Sequence, residues 1–263
     1  MTLYYKEYGD KEAPLMLFLH GGGVSGWMWR QQIQYFAHYH CIVPDLPGHG
    51  QSTHEEPFSI KSSANQLLAL IEEKAHEKEV IILGFSLGAQ IAIQMLSLKP
   101  DLIDFAIINS ALVRPIPFAK KIINPSIKLF YPLIKNRSFS KLQAKTLYIS
   151  KDDFEQYFQE SRQMKLETLV SIMEENMSFQ IPKHFENAKG KILVTVGEKE
   201  RAMMKISAID LVKNNPNCKG VILSKIGHGV SLAKPDLFNQ MVEAWVNEGK
   251  MPDGREIGLE PMS

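Results

Sequence analysis

A serine flanked by glycines stands where an apolar run of the sequence meets a segment of helical period. The pentapeptide GFSLG at residues 84–88 directly follows the apolar residues 80–83 and opens a helical pattern. A serine at so sharp a strand-to-helix turn presents its hydroxyl at the end of a sheet, and the first amides of the helix point toward it. The pattern therefore predicts that Ser86 is a nucleophile, which would act through a covalent intermediate.

Three further glycine-rich motifs follow other apolar runs, and their order along the chain matches that of a known family. They are HGGG at residues 20–23, DLPGHGQS at 45–52 and IGHG at 226–229. Together with the serine motif, they make most of the chain resemble the α/β-hydrolase superfamily. The resemblance implies an α/β fold with a mostly parallel central sheet, helices on both faces and a helical cap.

The resemblance also implies where the negative charge that develops during acyl transfer would be stabilised. Two backbone N–H groups form such an oxyanion hole, and removing one donor typically costs about 3–4 kcal/mol of barrier. One donor is expected from Leu87, the residue after the serine. The other is expected from Gly22, where a glycine allows close approach and unusual backbone angles.

His228 is the expected general base among the eight histidines of the chain. It is the only one that follows the last predicted strand, and it lies in a Gly-His-Gly turn downstream of Ser86. The order serine, acid, histidine is that of the α/β-hydrolase fold. A neutral imidazole at this position would accept the serine proton and later return it to the leaving group.

The acid that would orient His228 is less clear from the sequence. Proteins of this family usually carry an aspartate in a Gly-Glu-x-Asp pattern after the strand that follows the cap, whereas residues 197–200 read GEKE. Glu200 occupies the aspartate position and is the first candidate, since a glutamate can also stabilise an imidazolium. Glu198 is the nearest alternative, and Asp210 lies within a helical pattern. Residues 109–111 follow another predicted strand but offer no carboxylate.

Composition argues against several functional classes. The 263 residues carry 30 basic and 29 acidic side chains, which gives no reason to expect nucleic acid or a membrane as a partner. No zinc-ligand pattern, P-loop or dinucleotide fingerprint is present, so no metal and no cofactor are expected. Two cysteines are too few for a disulfide framework, and the N-terminus lacks the features of a signal peptide. We expect a cytoplasmic protein with a small-molecule substrate, and no oligomeric state is predicted.

The order of the predicted elements divides the chain into a core and an insertion. Short apolar runs alternate with helical patterns, as expected for parallel strands covered on both faces. These runs lie at residues 15–19, 41–43, 80–83, 105–108, 192–196 and 221–223. Residues 114–186 instead combine prolines with amphipathic patterns. We predict a helical cap at 114–186, inserted into an α/β-hydrolase core of 1–113 and 187–263, and a loose tail after Gly249.

The leading functional hypothesis is a serine esterase that hydrolyses a small to medium, uncharged and apolar carboxylic ester. Met164, Met173 and Met177 of the insertion would suit an acyl pocket, although such a spacing is more often explained by core packing. Trp27 and Trp29 would either line the site or pack in the hydrophobic core. A serine nucleophile argues against dehalogenase or epoxide-hydrolase chemistry, for which related folds use an aspartate.

Two alternative functions would use the same residues. The serine and the histidine would serve equally in C–C bond hydrolysis, or in an elimination like that of menaquinone synthesis. Basic residues on the cap side would favour such an anionic substrate, and the candidates are Lys120, Lys121 and Arg137. The other alternative is a ligand-sensing regulator that keeps the hydrolase scaffold, as a fold alone does not establish an activity.

Overall fold

The computed structural model describes residues 3–52, 57–117 and 119–258, and within them an eight-stranded sheet forms the centre of the protein. The strands are β1 (Tyr5–Tyr8), β2 (Leu15–Leu19), β3 (His40–Pro44), β4 (Val80–Phe85), β5 (Phe105–Asn109), β6 (Lys191–Gly197), β7 (Cys218–Leu223) and β8 (Arg255–Glu256). Their order across the sheet is β1-β3-β2-β4-β5-β6-β7-β8. The edge strands β1 and β8 are antiparallel to their neighbours, and the pairs between them are parallel.

Helices cover both faces of this sheet. The α-helices are α1 (Arg30–Tyr35), α2 (Ile60–Ala75), α3 (Leu87–Leu98), α4 (Ala119–Phe130), α5 (Arg137–Thr146), α6 (Phe154–Gln163), α7 (Leu166–Ser178), α8 (Ala202–Asn214), α9 (Val230–Ala233) and α10 (Pro235–Glu248). Short 3₁₀ segments lie at Gly26–Trp29, Tyr131–Lys135 and Phe185–Asn187. In the described residues, no helix combines the length and the apolar character that crossing a bilayer requires.

Alternate residues of each central strand pack into different helix layers, because side chains alternate along a strand. In β2, Leu15, Leu17 and Leu19 share a core with α2, α3 and α8. Met16 and Phe18 share a core with the 3₁₀ segment Gly26–Trp29 and with α10. All five residues of β2 are buried, which explains why its sequence is continuously apolar rather than alternating.

The helices α4 to α7 lie between β5 and β6 in the chain, and polar contacts attach them to the core. Helix α4 packs on α7, and α5 packs on α6. Glu160 on α6 accepts hydrogen bonds from Ser25 Oγ at 3.1 Å and from Trp27 Nε1 at 2.8 Å. Arg30 forms an ion pair with Asp153, which precedes α6. This part of α6 is therefore held beside the segment that follows the HGGG motif.

The predicted fold class, α/β with a mostly parallel sheet and helices on both faces, is confirmed. The two edge strands were not predicted, because β1 has only four residues with two charged residues at its centre and β8 has two residues. The prediction of a loose tail is wrong for residues 250–258. Strand β8 pairs with β7, and Ile257 is buried with its N–H donating to Gly220 O at 2.8 Å. Two apolar side chains, Ile257 and the partly buried Met251, thus anchor an otherwise polar stretch.

Candidate active site

Ser86 occupies a strained turn between β4 and α3. Its φ of 52° and ψ of −109° lie where a residue other than glycine is seldom found. The glycines beside it are needed for packing. A methyl group on Gly84 would lie 2.7 Å from Ala89 Cα, and one on Gly88 would overlap the carbonyl oxygen of Leu19. The motif therefore brings helix α3 against strands β4 and β2 more closely than any larger residue would permit.

His228 and Glu200 are in direct contact. His228 Nδ1 lies 2.8 Å from Glu200 Oε2, and the Glu200 side chain is only 2 % exposed while that of His228 is 34 % exposed. Glu198 points elsewhere, because its Oε2 accepts the Lys225 N–H at 2.8 Å on the surface. Asp210 is bound to Arg114 through both of its carboxylate oxygens. Of the three carboxylates considered from the sequence, the structure brings Glu200 to the histidine.

The second oxygen of Glu200 is held by two further donors. Ser110 Oγ donates to Glu200 Oε1 at 2.7 Å, and the Gly197 N–H donates to the same atom at 2.8 Å. Burial alone would raise the pKa of this carboxyl, but the hydrogen bonds from His228, Gly197 and Ser110 hold its pKa below the ordinary value. Glu200 is thus an ionised, oriented acceptor for the His228 ring.

Phe85 connects the turn at Ser86 with the turn at His228. Its ring centroid lies 4.8 Å from that of His228 at an angle of 47°, and a methyl group on Gly21 would lie 2.9 Å from the Phe85 ring. Phe85 is itself buried. Three motifs that lie far apart in the sequence, HGGG, GFSLG and IGHG, therefore meet around one aromatic ring.

A cavity of about 410 Å³ opens beside Ser86. Gly22 and Leu87 both line it and are adjacent, because a methyl group on Gly22 would lie 3.7 Å from Leu87 Cδ2. The remaining wall comes from Gly23 and from the inserted helices, and none of the lining side chains that the structure describes carries a charge. These lining residues are Gln143, Thr146, Leu147, Tyr157, Leu169, Ile172, Met173 and Asn176.

His20 braces the HGGG turn and takes no part in the cavity wall. The Leu46 N–H donates to its Nε2 at 2.8 Å, so the proton resides on Nδ1, which donates to Gly21 O at 2.7 Å. Burial lowers the pKa of His20 to about 4. The neutral ring therefore ties the HGGG turn to the loop that follows β3.

The other residues singled out from the sequence lie in several places. Met173 lines the Ser86 cavity, whereas Met164 lies in a small cleft beside Gly48 and His49. Trp29 is fully buried against Phe18 and Phe238, and Trp27 binds Glu160.

Three basic residues were considered for binding an anionic substrate, and in the part of the chain that the structure describes none of them lines the cavity. Arg137 forms an exposed ion pair with Glu155. The side chains of Lys120 and Lys121 lie outside the described residues. In the described residues, no group of three His, Cys, Asp or Glu side chains is arranged as a metal site.

Ser110 and Asn176 are among the contributors to the site that were not identified from the sequence. Ser110 was not predicted because only a carboxylate was expected to contact the histidine, although its positive φ of 58° directly after β5 marks an unusual turn. Asn176 was not predicted to line the site, because a polar residue in an amphipathic helix normally faces solvent. Only its position on the same face as Leu169, Ile172 and Met173 indicates the cavity.

Comparisons with known proteins agree with this architecture. A family model of the alpha/beta hydrolase fold matches residues 14–139. An AB hydrolase superfamily protein of Gibberella zeae is 28% identical over 143 residues, and the match spans 53% of this chain but only about half, 49%, of that relative. The (E)-2-((N-methylformamido)methylene)succinate hydrolase of Acinetobacter baylyi is 25% identical, with 93% of this chain and 94% of that protein covered.

Among solved structures, MenH from S. aureus has a similar fold, with a TM-score of 0.74 at 20% identity over 94% of this chain and 99% of that one. The sheet order and the glycine-flanked turn lead to the same conclusion as these comparisons. The family match over residues 14–139, the relative from Acinetobacter baylyi and the similar solved fold all support the α/β-hydrolase superfamily.

Proposed function

We propose that the protein is a serine hydrolase that cleaves small to medium, uncharged carboxylic esters. In this proposal Ser86 is the nucleophile, His228 is the general base, Glu200 orients His228, and the N–H groups of Gly22 and Leu87 form the oxyanion hole. The observation that carries the proposal is the strained Ser86 turn, which opens onto a cavity that it shares with Gly22 and Leu87. Backbone strain at a cavity is typical of functional sites.

The proposed reaction begins with proton transfer from the Ser86 hydroxyl. Because Nδ1 of His228 faces the Glu200 carboxylate, Nε2 is the nitrogen left to accept that proton. Ser86 Oγ attacks the ester carbonyl carbon, and the resulting oxyanion receives hydrogen bonds from Gly22 and Leu87. His228 then returns the proton to the departing alcohol, and a water molecule hydrolyses the acyl-serine by the same steps.

The oxyanion would also benefit from the position of α3. Leu87 is the first residue of this helix, so its N–H has no carbonyl partner within the helix. The helix dipole adds partial positive charge at the same end. Glycine at residue 22 keeps side-chain atoms away from the opposite side of the hole.

We further propose that residues 114–186 act as a cap that closes the substrate cavity. Helices α5, α6 and α7 supply most of its lining, and Glu160 ties α6 to the segment behind Gly22. A cavity of about 410 Å³ suits a small to medium substrate. A carboxylate would find no cationic partner among the described lining residues of the cavity, which argues against the anionic substrate of the C–C hydrolase or lyase alternative.

A fluorophosphonate probe tests the proposal without knowledge of the natural substrate. We expect stoichiometric labelling of Ser86, located by peptide mass spectrometry, and hydrolysis of p-nitrophenyl butyrate. In Ser86→Ala and His228→Ala the hydrolysis rate should fall by roughly 10³-fold or more.

His38→Gln is the matched control for the histidine, since His38 is exposed, and it should label and turn over as the wild type does. Folded protein that is not labelled at Ser86 would overturn the proposal. Labelling followed by tight retention of product without turnover would instead support the sensing alternative.

A further inference from the structure

One wall of the Ser86 cavity is the inner face of α7, and it contains a single amide. Leu169, Ile172, Met173 and Asn176 line the cavity at positions i, i+3, i+4 and i+7, which is one face of a helix. Three of these side chains are apolar. A polar group in such a wall costs free energy unless it has a hydrogen-bond partner, so the bonding of Asn176 determines what this face of the cavity can bind.

A buried glutamine on α3 determines how Asn176 is oriented. Gln90 is fully buried, and its Nε2 donates to two backbone carbonyls, Leu112 O at 2.7 Å and Asn176 O at 2.9 Å. Carbonyl oxygens only accept hydrogen bonds. The Gln90 amide therefore has one chemically acceptable orientation, in which Oε1 faces the Asn176 side chain.

The same reasoning fixes the Asn176 side chain. Its Nδ2 donates to Gln90 Oε1 at 2.8 Å, and the opposite orientation would place two oxygens against each other. Asn176 Oδ1 is thereby turned away from Gln90. Within the described part of the chain no group donates to this oxygen, and it is not sealed inside the protein. Asn176 Oδ1 is thus an oriented acceptor on the α7 face of the cavity, without a donor among the described residues.

This acceptor is connected to the proposed nucleophile through the first turn of α3. The Gln90 N–H donates to Ser86 O at 3.1 Å, so Gln90 is bonded to Ser86 through its backbone and to Asn176 through its side chain. The position of the Asn176 oxygen relative to Ser86 is therefore set by a short chain of hydrogen bonds. Preorganised groups of this kind are what allow a pocket to discriminate between substrates.

We infer that Asn176 selects substrates whose acyl chain carries a neutral hydrogen-bond donor, such as a hydroxyl or an amide N–H. The inference rests on the proposed esterase function and narrows its substrate class. A carboxylate in the same place would oppose the Asn176 oxygen, and a methyl group would leave that oxygen without a partner. A hydrogen-bond donor on the acyl chain would satisfy the Asn176 oxygen. The apolar side chains of Leu169, Ile172 and Met173 would surround the rest of the acyl chain.

The test compares pairs of p-nitrophenyl esters that differ only in a hydroxyl or a methyl group at carbon 3, 4 or 5 of the acyl chain. For the best-placed hydroxyl, the wild type should prefer the hydroxy ester in kcat/KM by roughly fivefold or more, and Asn176→Leu should lower this ratio by about tenfold. The ratio is the informative readout, because general damage to the fold would slow both esters equally.

Asn214→Leu is the matched control, as Asn214 lies exposed at the end of α8, and it should keep the wild-type ratio. Asn176→Ala is the second variant if the leucine does not fold. A wild-type preference for the methyl ester at every position, or a ratio unchanged in both Asn176 variants, would overturn the inference. Absence of fluorophosphonate labelling at Ser86 would instead refute the proposed function, so the two failures are distinguishable.

Discussion

Nδ1 of His228 lies 2.8 Å from Oε2 of Glu200, and these two residues differ sharply in exposure. The carboxylate is buried among donors, while a third of the histidine side chain remains accessible. The buried partner holds the ring through Nδ1, which leaves Nε2 for proton transfer in the proposed reaction. This asymmetry gives two expectations, one for Glu200 and one for its donor Ser110, and the packing of the site gives two more.

Replacement of Glu200 by glutamine should be far more damaging than replacement of Glu198. In Glu200→Gln the ring loses its anionic partner, and we expect kcat/KM for p-nitrophenyl butyrate to fall by about 10²–10⁴-fold. Glu198→Gln is the matched control, because the exposed Glu198 carboxylate accepts the Lys225 N–H and lies away from His228. Steady-state kinetics on both folded variants provide the check, and the reverse ranking would remove Glu200 from the mechanism.

Removal of the Ser110 hydroxyl should destabilise the protein in a pH-dependent way. The folded-state pKa of Glu200 is depressed, so its ionised form contributes stability above its unfolded pKa, and this contribution is lost as the pH falls. Ser110→Ala deletes one donor to the carboxylate and should lower the free energy of unfolding by about 1.5–3 kcal/mol at pH 7.

The loss of unfolding free energy in Ser110→Ala should be smaller at pH 4 than at pH 7. At pH 4 Glu200 is partly protonated in the unfolded state, so its ionised form contributes less to the stability of the fold. Urea denaturation at both pH values measures this. Ser138→Ala makes the same change at an exposed serine and should show no such dependence. An equal loss at pH 7 and pH 4 in Ser110→Ala would contradict the expectation.

Two glycines of the site should differ in their tolerance of alanine. A methyl group on Gly88 would overlap Leu19 O and approach His20 O to 2.7 Å, and backbone atoms in a sheet cannot move aside. We expect Gly88→Ala to lose about 3 kcal/mol of stability or more, or to fail to fold. In Gly22→Ala the new atom has ordinary contacts of 3.7 Å, and stability should change by less than about 1 kcal/mol. Guanidinium denaturation measures the free energy of unfolding of both variants. An equal loss in Gly88→Ala and Gly22→Ala would show that the close approach of α3 to β2 does not exclude a side chain at residue 88.

The buried pair His20 and His49 should make the fold sensitive to acid. Their ring centroids are 5.0 Å apart, and burial lowers the pKa of His20 to about 4 and that of His49 to about 3. Because both values lie below the unfolded pKa of about 6.5, the stability they contribute is complete above that pH and is lost as the pH falls.

Between pH 6.5 and pH 4 the free energy of unfolding should therefore fall by up to roughly 1.4 kcal/mol per pH unit for each histidine. His49→Gln should have a shallower slope than the wild type in urea denaturation across this range. His38→Gln replaces an exposed histidine and should leave the slope unchanged. If His49→Gln retains the full wild-type slope, the buried ring is not the source of the acid sensitivity.

The sequence by itself determined the fold class and the order of the central strands along the chain. In a parallel sheet covered on both faces every strand residue is buried, so β2, β4 and β5 appear as short continuous apolar runs. The turn at Ser86 could also be predicted from the sequence, because close packing excludes any side chain at Gly84 and Gly88 and so requires the two glycines. Patterns of this kind record local burial and local backbone geometry.

Only the tertiary structure decided which distant side chains meet. Glu198 and Glu200 stand two residues apart in one turn, and their different directions depend on how that turn packs against Ser110 and Lys225. The Gln90–Asn176 contact joins residues separated by 86 positions. The burial of Ile257 likewise depends on the groove that Gly220 leaves beside β7. Such pairings follow from the packing of separate elements, and no local pattern of residues encodes them.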